Sequence, residues 1–206
     1  TKEIGPISVE AILESVGAAL SVQEQTSTLR QTINLTGIVL HSNLGRAVLP
    51  ENAITAVSTV AGGPVNLEYD LSTGQRGNRE EILEGLICEL TGAEAATVVN
   101  NNAAAILLTM NTLAQSKEVP LSRGEMVEIG DSFRIADIME RSGCTLIEVG
   151  ATNRTHLRDF EQAINNRTGL IIKIHPSNYS ISGFSKNVSE SQLSGLAKRH
   201  QIPFVV

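Results

Sequence analysis

The stretch that decides the fold reads Thr91-Gly-Ala-Glu-Ala-Ala-Thr-Val-Val-Asn100-Asn-Asn-Ala-Ala-Ala105. Residues 95–99 form a short apolar run that ends in two valines, which is typical of a buried parallel strand. Three asparagines then mark a tight turn, and a run of good helix formers begins at Ala103. The stretch therefore predicts a strand, a turn and a helix, in that order.

The asparagine turn has two interpretations. A helix N-terminus presents free backbone N–H groups and the positive end of the helix dipole, which together favour an anion such as phosphate. The candidate phosphate-binding residues are therefore Asn100, Asn101, Asn102 and Ala103. On the asparagines alone, however, a helix cap without a ligand is the simpler interpretation, because asparagine is a preferred N-cap residue.

Composition limits the class of protein. The chain has 206 residues, of which 41% are hydrophobic, and its formal net charge is −6. This length suits about one domain with a substantial core, and the negative charge argues against broad electrostatic attraction to nucleic acid. A transmembrane run and a signal-peptide pattern are both lacking, so we expect a cytoplasmic protein. Cys88 and Cys144 stand far apart, which predicts neither a metal site nor a disulfide.

Elsewhere the hydrophobic pattern alternates between helix and strand. Without hairpin signals between the strands, this alternation predicts an α/β fold whose sheet is mainly parallel, with helices on both faces. Capping residues are expected at Asn78 with Glu81, at Thr155, and at Ser189 with Gln192. The predicted helices cover residues 8–20, 50–60, 78–92, 132–142, 155–165 and a segment after 189; further strands cover 118–122, 144–149, 169–175 and 203–206.

Polar clusters follow the predicted strands. Because parallel α/β sheets bind ligands at the carboxyl ends of their strands, four such clusters predict a ligand-binding enzyme. His175 is a candidate base, although a histidine in this position is more often structural. Nucleotide-binding glycine motifs and zinc-protease motifs are not found. The clusters are residues 100–102, 122–125, 150–154 and 175–179.

Two arginines stand in a glycine-flanked loop, Gly74-Gln-Arg76-Gly77-Asn-Arg79. The glycines are typical of a mobile loop that presents guanidinium groups to an anion. A solvated basic turn without a ligand is the alternative, and it is the commoner case.

Long motifs in this chain resemble the bacterial L-seryl-tRNA(Sec) selenium transferases, the selenocysteine synthases. The resemblance covers about residues 32–206 and keeps the motifs in order. The motifs are Asn34-Leu-Thr-Gly-Ile-Val-Leu-His41-Ser-Asn43-Leu-Gly45-Arg46-Ala47, Leu67-Glu-Tyr-Asp-Leu71, the arginine loop, Leu90-Thr-Gly-Ala-Glu94, Val99-Asn-Asn-Asn-Ala-Ala-Ala105, Ser122-Arg-Gly-Glu125, Phe133-Arg-Ile135, Thr152-Asn-Arg-Thr-His156 and Ser177-Asn-Tyr179.

The resemblance implies a fold and an activity. The fold is the large domain of the fold-type-I pyridoxal 5′-phosphate (PLP) enzymes, and PLP is the implied cofactor. The implied reaction converts seryl-tRNA(Sec) to selenocysteinyl-tRNA(Sec) with selenophosphate as the selenium donor. The implied assembly is a homo-oligomer, a ring of dimers in bacteria.

The same resemblance implies roles for individual residues. The turn at residues 100–103 would hold the PLP phosphate, and Ser177 and Asn178 would also bind the cofactor, with Asn178 on the ring hydroxyl. Arg76 and Arg79 would bind selenophosphate or a related oxyanion. Arg123 and Glu125 would lie near the ring.

The ends of the chain depart from the family pattern. Residues 1–31 are interpreted as a helix and linker left from a larger N-terminal region, and residues 32–206 as the first half of the large domain. The family's Schiff-base lysine and its aspartate partner would lie beyond Val206, and Lys173 is expected inside a strand, away from the crevice. We therefore expect an inactive, oligomeric or aggregation-prone fragment.

Two alternative functions remain open. The alternatives are a related PLP enzyme of ammonia-lyase type acting on a small amino acid, and a non-catalytic remnant.

Overall fold

A computed structural model describes residues 8–25, 29–45, 47–130 and 133–206. The chain divides into two compact units, Thr1–Gln75 and Arg76–Val206. Arg46, Asp131 and Ser132 fall outside the described residues, and so does part of the predicted linker after the first helix.

The described residues of the first unit include two α-helices. Helix α1 spans Val9–Gln25, so it continues through residues that were predicted to be linker. The polar residues that lengthen it include glutamines and a glutamate, which have good helix propensity. Helix α2 spans Glu51–Ala61 and starts after Pro50, as predicted. Between the helices the described chain is irregular, apart from a short 3-10 helix at Ser42–Leu44.

The second unit alternates helices with short strands. Its first helices are α3, Glu81–Thr91, and α4, Asn102–Ala114. The remaining elements, in chain order, are β1 Glu118–Ser122, a 3-10 helix Arg123–Glu125, β2 Glu128–Ile129, β3 Phe133–Arg134, α5 Ile135–Arg141, β4 Thr145–Val149, α6 Leu157–Ala163, β5 Ile171–Ile172, α7 Glu190–His200 and β6 Phe204–Val205.

The main strand pairs are parallel, which confirms the predicted sheet. Strand β1 pairs with β4 along its whole length, with Glu118 opposite Thr145. Strand β5 pairs with β6, with Ile171 opposite Phe204. An isolated parallel bridge from Glu118 to Thr168 joins β1 to the residues that lead into β5. The strands therefore follow the order β4, β1, β5, β6.

The backbone pairing between β1 and the chain leading into β5 is brief, and Pro120 lies where it would continue. The Glu118 amide donates to the Arg167 carbonyl, and the Glu118 carbonyl accepts from the Gly169 amide. Pro120 is the next residue of β1 whose nitrogen would point toward β5, and proline has no N–H to donate. The missing N–H of Pro120 therefore falls on the β5 side, while the β4 side is fully paired.

Helices cover both faces of the sheet, as predicted. Alternate strand residues supply two separate cores, because successive side chains of a strand point to opposite faces. One core joins Val119, Leu121 and Ile172 to α4 and α5 through Met110, Ala114, Ile135 and Met139. The other joins Val149 and Ile171 to α6 and α7 through Phe160, Leu193, Leu196 and Ala197.

The predicted strand at residues 95–99 is wrong. The structure has irregular chain there, and within the described residues this segment joins no sheet. Its Ala96 amide instead donates to the Glu84 carboxylate at 3.3 Å. A strand needs a neighbouring strand to satisfy its backbone groups, and the apolar run alone could not reveal that this segment has none among the described residues.

A short hairpin was not predicted. Strands β2 and β3 are antiparallel, with Glu128 opposite Arg134 and Ile129 opposite Phe133. Gly130 begins the turn with a φ of 63°, a left-handed conformation that glycine adopts readily. Two residues per strand leave too little alternation for a sequence pattern to detect.

Of the three capping residues predicted at Asn78, Thr155 and Ser189, two are wrong. Helix α3 has Glu80 at its N-cap without a side-chain cap, and Asn78 accepts a hydrogen bond from the Glu80 amide instead. Helix α6 is capped by His156, in a capping box with Asp159, rather than by Thr155. The third is confirmed, because Ser189 and Gln192 form a capping box at α7.

Candidate functional site

Three of the four predicted polar clusters meet at the carboxyl ends of β1, β4 and β5. They surround a first cavity of about 410 Å³, a size that suits a small-molecule ligand. Its polar and charged lining residues are Ser122, Glu125, Thr152, Asn153, Thr155, Lys173, His175, Ser185, Lys186, Asn187 and Glu190.

Buried hydroxyl groups hold the ends of β1 and β4 together beneath this cavity. The hydroxyl oxygens of Ser122 and Thr155 lie 2.7 Å apart, and the two residues are 4% and 2% exposed. The Ser122 hydroxyl also accepts from the Gly124 amide at 3.3 Å. Thr155 was predicted as a helix cap, but its side chain is used for this internal link.

Gly124 allows two loops to approach closely. A Cβ atom built on Gly124 would lie 2.6 Å from the Thr152 carbonyl oxygen, well inside van der Waals contact. The glycine of the Ser-Arg-Gly-Glu motif is therefore required by packing, and it brings the 3-10 helix after β1 against the loop after β4.

The most buried charges of the first cavity belong to Glu125 and Lys173. The Lys173 ammonium donates to Glu125 Oε1 at 2.6 Å, and the side chains are 16% and 8% exposed respectively. The second carboxylate oxygen, Oε2, accepts from the Ile174 amide at 3.1 Å. Glu125 thus holds the end of β5 at two points, the backbone amide of Ile174 and the side chain of Lys173.

Tyr179 packs against the same loop. Its phenol donates a short hydrogen bond to the Gly124 carbonyl. Burial, followed by the negative charge of Glu125, raises the pKa of the Tyr179 phenol above its ordinary value of 10.0. The phenol is therefore a neutral donor that holds the 175–179 loop against the 3-10 helix.

A second cavity of about 400 Å³ lies beside the first. Lys173, Ile174, His175 and Val206 line both cavities, so the end of β5 forms their common wall. The other residues of the second cavity are Asn102, Ile106, Val127, Ile129, Phe133, Ile135, Ile172, Ser177 and Val205.

The N-terminus of α4 borders the second cavity through Asn102. Asn101 is the N-cap, and its side-chain oxygen accepts from the Ala104 amide at 2.9 Å. The structure gives the amides of Asn102 and Ala103 no acceptor among the described residues. The predicted asparagine cap is confirmed, and two backbone donors remain for an anion.

The predicted site residues do not all converge. Asn102, Glu125 and Ser177 line a cavity, whereas Asn100, Asn101 and Ala103 stand at the α4 turn beside it. Arg123 does not line either cavity, and its guanidinium pairs with Glu148 at 2.9 Å. The Asn178 side-chain amide donates to the Glu128 carbonyl at 2.8 Å. Arg76 and Arg79 are exposed residues of the same unit and lie outside both linings.

Lys173 is the lining residue that sequence reasoning misplaced. It was expected inside a strand and away from the crevice, but β5 ends at Ile172 and Lys173 lines both cavities. A lysine within an otherwise apolar, β-branched run was the available signal, since a buried lysine requires a partner.

Within the described residues, no group of three or more His, Cys, Asp and Glu side chains has the arrangement of a metal site. A search of the same residues for helices long and apolar enough to cross a membrane finds none.

The model of the L-seryl-tRNA selenium transferase family (SelA) matches residues 32–206. This chain belongs to that family. Curated relatives carry the name L-seryl-tRNA(Sec) selenium transferase. One from Methylocella silvestris is 51% identical, and the match covers 95% of this chain and 42% of the relative. One from Serratia proteamaculans is 52% identical over 92% of this chain and 41% of the relative.

This member of the selenium transferase family spans about two fifths of the length of those relatives. Its α/β fold with a mainly parallel sheet is as predicted. The structure of D-glucosaminate-6-phosphate ammonia-lyase matches with a TM-score of 0.64, covering 80% of this chain and 45% of that one. The two sequences are 18% identical, so this likeness concerns the fold alone.

Proposed function

We propose that this chain forms part of a PLP-dependent L-seryl-tRNA(Sec) selenium transferase, which converts seryl-tRNA(Sec) to selenocysteinyl-tRNA(Sec) with selenophosphate. The family match over residues 32–206 supports the proposal. So does the name shared by relatives that are 51% and 52% identical. The proposal includes a homo-oligomeric assembly and a cytoplasmic location.

The observation that carries the proposal is the position of the asparagine turn. Asn101 caps α4, and the next residue, Asn102, lines a cavity at the carboxyl edge of the sheet. The family motif at residues 99–105 thus coincides with a helix N-terminus that has two uncommitted backbone donors. Phosphate is a natural guest for such a terminus, because backbone N–H groups and the helix dipole both favour it.

The residues around the second cavity fit the cofactor. Its volume of about 400 Å³ accommodates a substituted pyridine ring with a phosphate arm. Ile129, Phe133 and Ile135 offer apolar surface for the ring, while Asn102 and Ser177 offer polar groups. In the proposed complex the amides of Asn102 and Ala103 bind the phosphate, and Ser177 and Asn178 bind from the opposite loop.

PLP, when bound, supplies an electron sink that stabilises negative charge on the substrate carbon next to the amine. The protein's part is to position and polarise. Glu125 places a carboxylate at the crevice. Arg123, at the start of the same 3-10 helix, places a guanidinium that is paired with Glu148. The phenol of Tyr179 holds this helix against the 175–179 loop, so the two sides of the crevice keep their spacing.

Arg76 and Arg79 are proposed to bind the oxyanion of selenophosphate. Both are exposed residues of the second unit, and Arg76 follows Gly74, whose φ of 69° permits a tight turn. Guanidinium groups bind phosphate-like oxyanions bidentately, so a pair of arginines close together in sequence suits this role.

A selenium-transfer assay on the full-length gene product tests the proposal. The substrates are seryl-tRNA(Sec) with selenophosphate in one arm, and free serine and other small amino acids in the other. We expect selenocysteinyl-tRNA(Sec) in the first arm alone. Turnover of free amino acids without transfer to tRNA would instead identify the ammonia-lyase type of enzyme, and inactivity in both arms of a folded, PLP-supplied protein would identify a non-catalytic protein.

A further inference from the structure

We infer that Lys173 is a ligand-binding residue of the crevice, where its ammonium donates to an anionic oxygen of the bound molecule, and that Glu125 positions it. The inference rests on the proposed function, because it assumes that the crevice binds a phosphorylated cofactor or an oxyanion co-substrate.

The first observation is the position of Lys173. It follows β5 directly and belongs to the wall shared by the two cavities. A molecule in either cavity therefore has this lysine in its lining. Lys186, in contrast, lines the first cavity and not the second.

The second observation is how the lysine is held. Its side chain is 16% exposed and its ammonium is 2.6 Å from Glu125 Oε1. An ammonium has three N–H donors, and among the described residues Glu125 is its one hydrogen-bond acceptor. Two donors are thus left at the cavity wall, on a group that the carboxylate keeps in one orientation.

The third observation concerns stability. Removing two charges from water has a large desolvation cost, so a buried ion pair contributes little net stability compared with apolar side chains of similar volume. A pair whose lysine lines two cavities, and whose glutamate lines the first, is therefore poorly explained by folding alone. Binding explains it better, because a preorganised ammonium meets an anionic oxygen without the cost of being ordered at that moment.

The anionic oxygen has two possible sources, a phosphorylated pyridine and a selenophosphate-like oxyanion. The test is a labelling experiment on the full-length gene product, freed of PLP. Its lysines are dimethylated briefly with formaldehyde and cyanoborohydride, and the extent at each lysine is measured by mass spectrometry. The probes are pyridoxine 5′-phosphate, which lacks the reactive aldehyde, and thiophosphate. The dissociation constant of each probe is measured by calorimetry, and each probe is then used at a saturating concentration.

We expect a saturating probe to slow the labelling of Lys173 at least threefold and to leave Lys198, an exposed residue of α7, unchanged. Protection by pyridoxine 5′-phosphate alone assigns the oxygen to the cofactor, and protection by thiophosphate alone assigns it to the co-substrate. Loss of labelling at Lys186 together with Lys173 places the probe in the first cavity. Unchanged labelling of Lys173 with both probes bound would overturn the inference.

Variants add an independent measurement. Lys173→Met alone would leave the Glu125 carboxylate buried without its partner, so the variant to use is Lys173→Met with Glu125→Gln. We expect this double variant to bind the protective probe about tenfold more weakly, whereas Lys198→Met binds it unchanged. Glu125→Gln alone should label faster at Lys173 if Glu125 positions the ammonium.

The outcomes separate this inference from the proposed function. A folded double variant that binds the protective probe as tightly as the unmodified protein refutes the role of Lys173 and leaves the cofactor assignment intact. A protein that binds neither probe nor PLP refutes both.

Discussion

The hydroxyl oxygens of Ser122 and Thr155 lie 2.7 Å apart, in the interior, where β1 ends and the loop after β4 returns to the sheet. This contact links the 122–125 cluster to Thr155, the residue that follows the 150–154 cluster, although the two residues are 33 apart in sequence. It fixes the floor of the first cavity, since both residues belong to its lining.

Thr155→Val should destabilise the protein. The substitution keeps the shape of the side chain but leaves the buried Ser122 hydroxyl without this partner, which costs about 1–3 kcal/mol. The free energy of unfolding in urea measures the effect. Thr145→Val is the matched control, because Thr145 is an exposed residue of β4 and valine suits a strand. Equal effects at the two positions would contradict the structural role of the Thr155 hydroxyl.

Gly150→Ala and Gly85→Ala should change stability in opposite directions. Gly150 has a φ of 72°, and an added Cβ would meet Thr155, with its Cα at 2.9 Å. The left-handed conformation alone costs about 1–2 kcal/mol for alanine, and the contact adds to it. Gly85 lies within α3 and has nothing within 4 Å of its Cβ position, so alanine there should stabilise by about 0.5–1 kcal/mol. Thermal unfolding distinguishes the two signs.

Asp70 should titrate with a pKa of about 2 rather than its ordinary 3.8. Hydrogen bonds from the Ser72 hydroxyl, the Thr73 hydroxyl and the Ser72 amide stabilise its charged form. A lowered pKa means that this turn is stabilised above pH 3.8 and loses that stabilisation as the pH falls through 2. Carbon NMR of the carboxyl group measures the titration. Ser72→Ala should raise the pKa of Asp70, whereas Ser58→Ala in α2 should not.

Asn101→Asp should separate helix capping from phosphate binding. Aspartate is as good an N-cap as asparagine and interacts favourably with the helix dipole, so thermal stability should be kept or slightly increased. Its negative charge would repel a phosphate at the same terminus, and the affinity of the full-length gene product for PLP should fall about tenfold. Ser189→Asp makes a comparable exchange at the N-cap of α7, whose residues do not line the second cavity, and should leave PLP affinity unchanged.

The sequence was informative where a signal is local. The bounds of β1 matched the prediction, and β4 came within one residue, because an apolar run between turn residues needs no tertiary information. The Ser189 capping box was equally readable, since its partners are three residues apart. The family motifs predicted the fold class for a different reason. They indicate relatedness over most of the chain, and related chains share a fold whatever the local preference of each segment.

Features that depend on distant partners were not readable. Thr155 is a residue type that often caps helices, but its hydroxyl contacts Ser122, which no local sequence pattern indicates. Lys173 was placed in the middle of a strand because the apolar run continues on both sides of it. Its ammonium is instead paired with Glu125, which is 48 residues away in the chain. Residues 95–99 have the composition of a strand but no partner strand among the described residues.

The position of Pro120 in β1 also bears on how the end of β5 nearest the crevice is held. With no N–H there to continue the ladder, β1 and β5 are joined at their start by backbone and at their end by the carboxylate of Glu125, which accepts from the Ile174 amide. The Glu125 carboxylate thus takes the place of a strand carbonyl, and the same carboxylate binds the ammonium of Lys173. A molecule bound beside Lys173 in the crevice therefore lies next to the carboxylate that joins the ends of two central strands.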